Sequence, residues 1–216
     1  MRPFLCCLIL LSGCKPAVYF VSPNDLHNEK AQLYLIDHSK VTGEINISLE
    51  SYSSLQMENK PFIGFIPEGE KIEKHIRLND IIGYSIGSDY FALKKLDLYL
   101  NNTYYLLFVK RLTSENSKIQ LYELFESGRG NATGEMKYSY YLSLPSFGQQ
   151  QTMNTRSISL LPMFDQRMSQ IVADCPALAA KIKSKENGYF IPMGSFKTNK
   201  HHVVLLKIIN EYNNCN

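Results

Sequence analysis

Gly83-Tyr84-Ser85-Ile86-Gly87 is a literal G-x-S-x-G. In a nucleophile elbow the two glycines permit a sharp strand-to-helix turn that lifts the serine oxygen clear of the backbone. An acid and a histidine should then follow in chain order, and Asp165 or Asp174 with His201 or His202 would supply them. That constellation would make a small serine hydrolase with Ser85 as nucleophile. Its surroundings argue otherwise. Asp89-Tyr90-Phe91 follows instead of a helix, no glycine-rich oxyanion loop precedes it, and alternating strand–helix units are missing. His201-His202 suggests a metal, but neighbours on a helix point about 100° apart. No carboxylate or cysteine stands at ligand spacing, so a solvated helix start is the better reading. His27, His38 and His75 lie in polar surroundings. Neither a catalytic set nor a cofactor is expected.

The cysteines carry more information. The first thirteen residues, MRPFLCCLILLSG, hold one charge at Arg2 and an apolar run from Pro3 to Leu11. That run is far short of the roughly 20 residues that span a bilayer, and it matches the core of a secretory signal. Leu11-Ser12-Gly13-Cys14 then resembles the bacterial lipobox. As that resemblance implies, the Cys14 thiol would carry a diacylglycerol, the signal would be cut before it, and the new amino terminus would be acylated. Two or three acyl chains hold a water-soluble domain at a membrane where one holds it only reversibly. The alternative is plain secretion with Cys14 incidental; a cut after Ala17 would put Lys15 where a small residue is wanted. Lys15 is not the aspartate that retains lipoproteins at the inner membrane, so an outer-membrane anchor is expected. Cys6 and Cys7 would leave with the signal. Cys175 and Cys215 would remain, and two thiols in an oxidising compartment predict one disulfide. The alternative is a pair of buried thiols. No C-x-x-C supports zinc or redox chemistry.

Removing residues 1–13 deletes only Arg2, leaving 22 basic against 20 acidic side chains. A chain so near neutrality, with no basic stripe, makes a poor nucleic-acid partner. About 200 residues are enough for a real core. Hydrophobic periodicity predicts an α+β fold, a mostly antiparallel sheet followed by about three C-terminal helices. Residues 14–30, with Pro16 and Pro23, read as a tether, and residues 31–147 as the β-rich domain. Within it, two alternating runs flank Asp37-His38-Ser39-Lys40, and short strands are punctuated by Gly83 and Gly87. Tyr104–Arg111 and Lys118–Phe125 flank the polar turn Thr113–Ser117, and MKYSYYLSLP forms a further strand. Residues 148–156 are a polar connector. Residues 157–216 are a helical segment packed on the sheet, with Pro162 opening the first helix, Asp174 capping the second and KHHVVLLKIINEYNN forming the third.

Ala173-Asp174-Cys175-Pro176, a helix, and then Ile209-Asn210-Glu211-Tyr212-Asn213-Asn214-Cys215 resemble the close of an uncharacterised family of exported proteins from Bacteroidota-type bacteria. Asn79-Asp80-Ile81-Ile82-Gly83-Tyr84 and Lys118-Ile119-Gln120-Leu121-Tyr122 match it as well. The resemblance implies a β-sheet domain with a helical tail in the envelope and makes Gly83–Gly87 a glycine-kinked strand; it brings no activity. The lipobox departs from it, since many relatives look simply secreted. Asn46-Ile47-Ser48, Asn101-Asn102-Thr103 and Asn131-Ala132-Thr133 fit a glycosylation sequon, which behind a bacterial lipobox is accidental. Tyrosines in NNTYYLLFVKR and KYSYYLSLP could form a carbohydrate- or peptide-binding face, though such residues more often cover a core edge. The reading is a lipid-anchored envelope protein acting as a non-catalytic binding or structural module, its partner another envelope protein or an extracellular ligand.

Overall fold

Alternating apolar side chains around a polar tetrapeptide build the first hairpin. Leu33, Ile45 and Ile47 turn inward from β1 (Asp25–Leu35) and β2 (Lys40–Ser48), while Thr42 and Ser48 face solvent. Asp37 closes the turn by accepting from the Ser39 amide at 2.9 Å and hydroxyl at 2.6 Å, an arrangement its side chain favours over extended structure. A computed structural model describes residues 22–49, 62–98, 104–126, 137–144, 152–155, 160, 163–192 and 201–215. The signal, Cys14, Pro162 and the sequons at Asn101 and Asn131 lie outside the described residues.

The remaining strands are β3 (Phe62–Pro67), β4 (Lys74–Arg77), β5 (Ile81–Ile86), β6 (Asp89–Asp97), β7 (Tyr104–Arg111), β8 (Gln120–Glu126), β9 (Lys137–Ser143) and β10 (Met153–Asn154). They form one ten-stranded sheet in the order β10-β9-β8-β7-β6-β5-β1-β2-β3-β4, with every neighbouring pair antiparallel. The helices α1 (Phe164–Ile171), α2 (Pro176–Lys183) and α3 (His201–Asn213) come last. The expected α+β architecture is therefore the observed one. Alternation explains how the helices attach. Leu121, Tyr140 and Leu142 point to one side of β8 and β9, where they share a buried cluster with Phe164, Leu178 and Leu205. Tyr122, Leu124 and Tyr141 point to the other, against Ala92, Leu96 and Val109.

A long antiparallel sheet exposes its edges unless it curls. This one folds back at two places. β7 and β8 are in register only at Lys110–Glu123 and Arg111–Tyr122, and the Thr152 hydroxyl before β10 donates to the Lys95 carbonyl on β6 at 3.0 Å. On the other side, β1, β2 and β3 pack on β5, β6 and β7 through Leu33, Ile45, Phe65, Tyr84, Leu93 and Phe108. The segment entering β1 seals that closure. The Tyr84 hydroxyl donates to the Pro23 carbonyl at 2.7 Å, and Asn24 bonds the backbone of Phe108 on β7.

Four boundaries differ from the sequence reading. The tether assigned to residues 14–30 gives way at its end to built structure: Ser22 to Asn24 are buried and β1 begins at Asp25. Sequence periodicity missed this because Asp25, His27 and Asn28 are polar and exposed within the strand. The connector 148–156 contains β10, held by pairing of Met153 and Asn154 with Leu142 and Tyr141. Asp174 does not cap α2, whose N-cap residue is Cys175; its Oδ1 accepts from the Tyr212 hydroxyl at 2.7 Å instead. Finally, Phe62–Pro67 is an additional strand, invisible beforehand because two prolines and two glycines interrupt its neighbourhood.

Candidate functional site

Strand alternation lays a row of polar and aromatic side chains on the sheet face opposite the Leu33, Tyr84 and Phe108 cluster. On β6, Phe91 and Leu93 pack inward with Phe108, whereas Tyr90 and Lys94 belong to the other face. Ser85 of β5 stands opposite Tyr90, and Tyr34 of β1 stands opposite Gly83. The Tyr34 and Ser85 hydroxyls are 3.4 Å apart, and the Tyr34 and Tyr90 rings meet edge to face with centroids 5.2 Å apart. Arg111 of β7 lays its guanidinium over Tyr90, 4.4 Å from the ring centroid. Lys40 Nζ sits 5.2 Å from the centre of Tyr34, and Lys94 Nζ 5.0 Å from that of Tyr122.

These residues wall two adjoining hollows. The outer groove, about 430 Å³, is lined by Tyr34, His38, Lys40, Ser85, Ser88 and Tyr90 among others. The inner one, about 210 Å³, reaches Lys94, Gln120 and Tyr122. Tyr90, Arg111 and Glu115 border both. Lys94 is only 8% exposed. Burial, with the Arg111 charge adding to it, pushes its ammonium down to about 8 from the ordinary 10.5. Burial likewise pushes the Tyr90 and Tyr122 phenols up to about 12, so both stay neutral donors at physiological pH. The site presents three cations, Lys40, Lys94 and Arg111, against the one carboxylate of Glu115, with two neutral phenols and a hydroxyl pair, which suits a polar ligand bearing negative charge.

Lys94 carries a stability signature. Between pH 8 and 10.5 the folded protein has released the Lys94 proton while the unfolded chain still holds it. Stability therefore rises with pH across that window, and below it the cost of the buried charge is present in full. Lys94→Met is expected to flatten the pH dependence of stability between 8 and 10.5. Urea unfolding at pH 7 and pH 10 measures it; an unchanged rise in the variant would mean that another group titrates in that window.

Gly83 has a steric role in this site. A Cβ there would strike the Phe91 carbonyl and lie 2.7 Å from the Tyr90 hydroxyl. Glycine thus gives the Tyr90 ring its seat, while Gly87 serves the β5–β6 turn at φ +58°. Gly83→Ala is expected to cost about 1–3 kcal/mol, as overpacking does, and to displace Tyr90 from Arg111. Shifted Tyr90 ring resonances in a folded variant, together with a lowered melting temperature, would report it; unchanged ring shifts would remove the seat.

The G-x-S-x-G is therefore a strand and a turn, not an elbow: Ser85 lies within β5, half-buried, and no helix follows. Its expected partners are elsewhere. Asp165 pairs with Lys185 at 3.6 Å, and Asp174 belongs to Tyr212. His201 is buried at the start of α3, and His202 stacks on Tyr140 of β9, four strands from β5. The histidine that does line the groove is His38, an exposed turn residue. His27 pairs with Asp25, and His75 with Glu73. Among the described residues no three His, Cys, Asp or Glu side chains gather as a metal site. Cys175 and Cys215 stand at disulfide distance, their Cα atoms 5.8 Å apart.

Tyr140 and Tyr141 are buried on opposite sides of β9, covering core as the preferred reading had it and forming no shared binding face. Tyr138 is half-buried against Phe125, and Tyr104 is exposed beneath Lys95. The tyrosines of the groove, Tyr34 and Tyr90, were not singled out, nor were Lys94 and Arg111. One signal was available: Tyr90-x-x-x-Lys94 places a phenol and an amine on one strand face in a segment otherwise apolar.

No family model matches the chain, and neither a curated protein nor a solved structure does. Function has to be argued from the chemistry of the site.

Proposed function

We propose that this chain is a non-catalytic binding module, held at the bacterial cell envelope by lipid on Cys14, and that the groove across β1, β5, β6 and β7 is its binding site. The observation that carries the binding half is the continuous row Tyr34–Tyr90–Arg111 along a hollow of about 430 Å³, within the range of small-ligand sites. The row ties strands distant in sequence into one preorganised surface, and donors outnumber acceptors along it. The anchoring half rests on Leu11-Ser12-Gly13-Cys14 behind a short apolar run. Among the described residues no helix is long and apolar enough to cross a membrane, a statement that leaves strand-built spans aside.

Intact mass measurement of the protein extracted from native membranes tests the anchor. The expected species begins at Cys14, carries diacylglycerol and an amide-linked acyl chain, and is two hydrogens lighter than its fully reduced form. A polypeptide that begins elsewhere and partitions wholly into the aqueous phase of a detergent separation overturns the anchor. A fluorophosphonate probe is expected to leave Ser85 unmodified; labelling there would favour a serine hydrolase.

A further inference from the structure

Taking the groove as the binding site, as just argued, we propose that its outer hollow holds the phosphoryl group of a phosphate monoester on Arg111. The first support is the guanidinium itself. The Arg111 side chain is 20% exposed, and its carboxylate neighbour Glu115 stands 3.9 Å away and is 82% exposed. That separation is too long for a hydrogen bond, and the guanidinium meets no other acceptor among the described residues. A charged group with five N–H donors is costly to hold in a recess without acceptors. Its nitrogens are not sealed in, unlike Thr155 Oγ1 and His202 Nδ1. They open on the hollows that Arg111 borders.

The neighbouring donors of the outer hollow are also unspent. The Tyr34 and Ser85 hydroxyls, 3.4 Å apart, can use only one of their two protons on each other. Neither Ser88 Oγ nor Lys40 Nζ meets an acceptor among the described residues, and Lys40 lies over the Tyr34 ring. All four side chains line the same space of about 430 Å³ with Arg111. Two cations and three hydroxyls there face the single carboxylate of Glu115.

A phosphate monoester answers that set better than a carboxylate does. It brings three strong acceptor oxygens and a charge of about −1.5 to −2 at neutral pH. A carboxylate brings two oxygens and one charge. Arg111 is the sheltered seat, and the exposed Lys40 draws the anion in from solvent. Leu35, Ile82 and the Tyr90 ring complete the wall and receive the carbon body of the ester. A soluble ester and a lipid headgroup share this chemistry.

The test uses the full-length protein in detergent micelles, titrated by NMR with phenyl phosphate, benzoate, phenol and dioctanoyl phosphatidic acid. Phenyl phosphate is expected to shift the resonances of Tyr34, Ser85, Ser88 and Arg111 saturably, with benzoate and phenol at least about tenfold weaker. Arg111→Gln should weaken it about tenfold and Lys40→Gln about threefold, as befits a sheltered and an exposed charge-assisted contact. Phosphatidic acid acting on the same resonances more strongly than phenyl phosphate assigns the lipid headgroup; phenyl phosphate acting alone assigns the soluble ester. Benzoate binding there as tightly as phenyl phosphate would overturn the phosphoryl group while leaving the groove a site. Unchanged affinity in Arg111→Gln would overturn the seat. Silence of the groove with all four compounds overturns both the phosphoryl group and the groove itself.

Discussion

Asn24→Ala is expected to lower the unfolding free energy by about 2–5 kcal/mol, although the residue lies where the sequence reads as a tether. Asn24 is 2% exposed. Its Nδ2 donates to the Phe108 carbonyl at 2.9 Å, and its Oδ1 accepts from the Phe108 amide at 2.7 Å. The side chain thereby imitates a neighbouring strand at a point where β8 has parted from β7 and offers no partner in register. Alanine would leave two buried backbone groups unsatisfied, each costing about 1–3 kcal/mol. Asn24→Asp should not rescue the loss, because it keeps the acceptor and sets a second oxygen against the Phe108 carbonyl. Urea unfolding gives the magnitude, and amide exchange at Phe108 gives the location. An unchanged midpoint with Phe108 still protected would show that water or another group replaces the asparagine.

Replacing both Cys175 and Cys215 with alanine is expected to cost about 4 kcal/mol, the chain-entropy value for a closed loop of 40 residues. In melting temperature this is about 8–16 °C for a domain of this size. The pair joins the start of α2 to the end of α3. What else holds that end is modest. Lys118 donates its amide to Asn213 at 2.8 Å and its ammonium to the Cys215 carbonyl at 2.7 Å. Lys181 pairs with Glu211 at 2.6 Å, both partners about a third exposed, where ion pairs contribute little. The apolar contacts of Leu205, Ile208 and Ile209 remain in the variant, so it should fold and melt earlier rather than fail to fold. Equal melting of wild type and variant, under conditions that keep the native thiols oxidised, would mean that the pair is not bridged.

Period-two alternation of side chains exposed the hairpin of β7 and β8 to within two residues, and 3.6-residue periodicity exposed α3 to within one. Both signals are local, since a residue's face is decided by its neighbours in the chain. Asn24 carried no such signal. Its value comes from a partner 84 residues away, and a buried polar side chain before a strand looks like any loop asparagine. Gly83 was visible as a glycine, but its reason, the Tyr90 ring lying across it, required the β5–β6 register.

From the sequence alone came the α+β class, the chain order of strands before helices, the two cysteines left to pair, and the expectation of a lipid-bearing Cys14, because each rests on residue type and short-range spacing. Tertiary structure decided where the sheet folds back, which tyrosines are buried, and that Lys94 and Arg111 share a recess with Tyr90. Those facts depend on which strands become neighbours, and the free energy that selects them is spread over the whole buried surface rather than written at any one position.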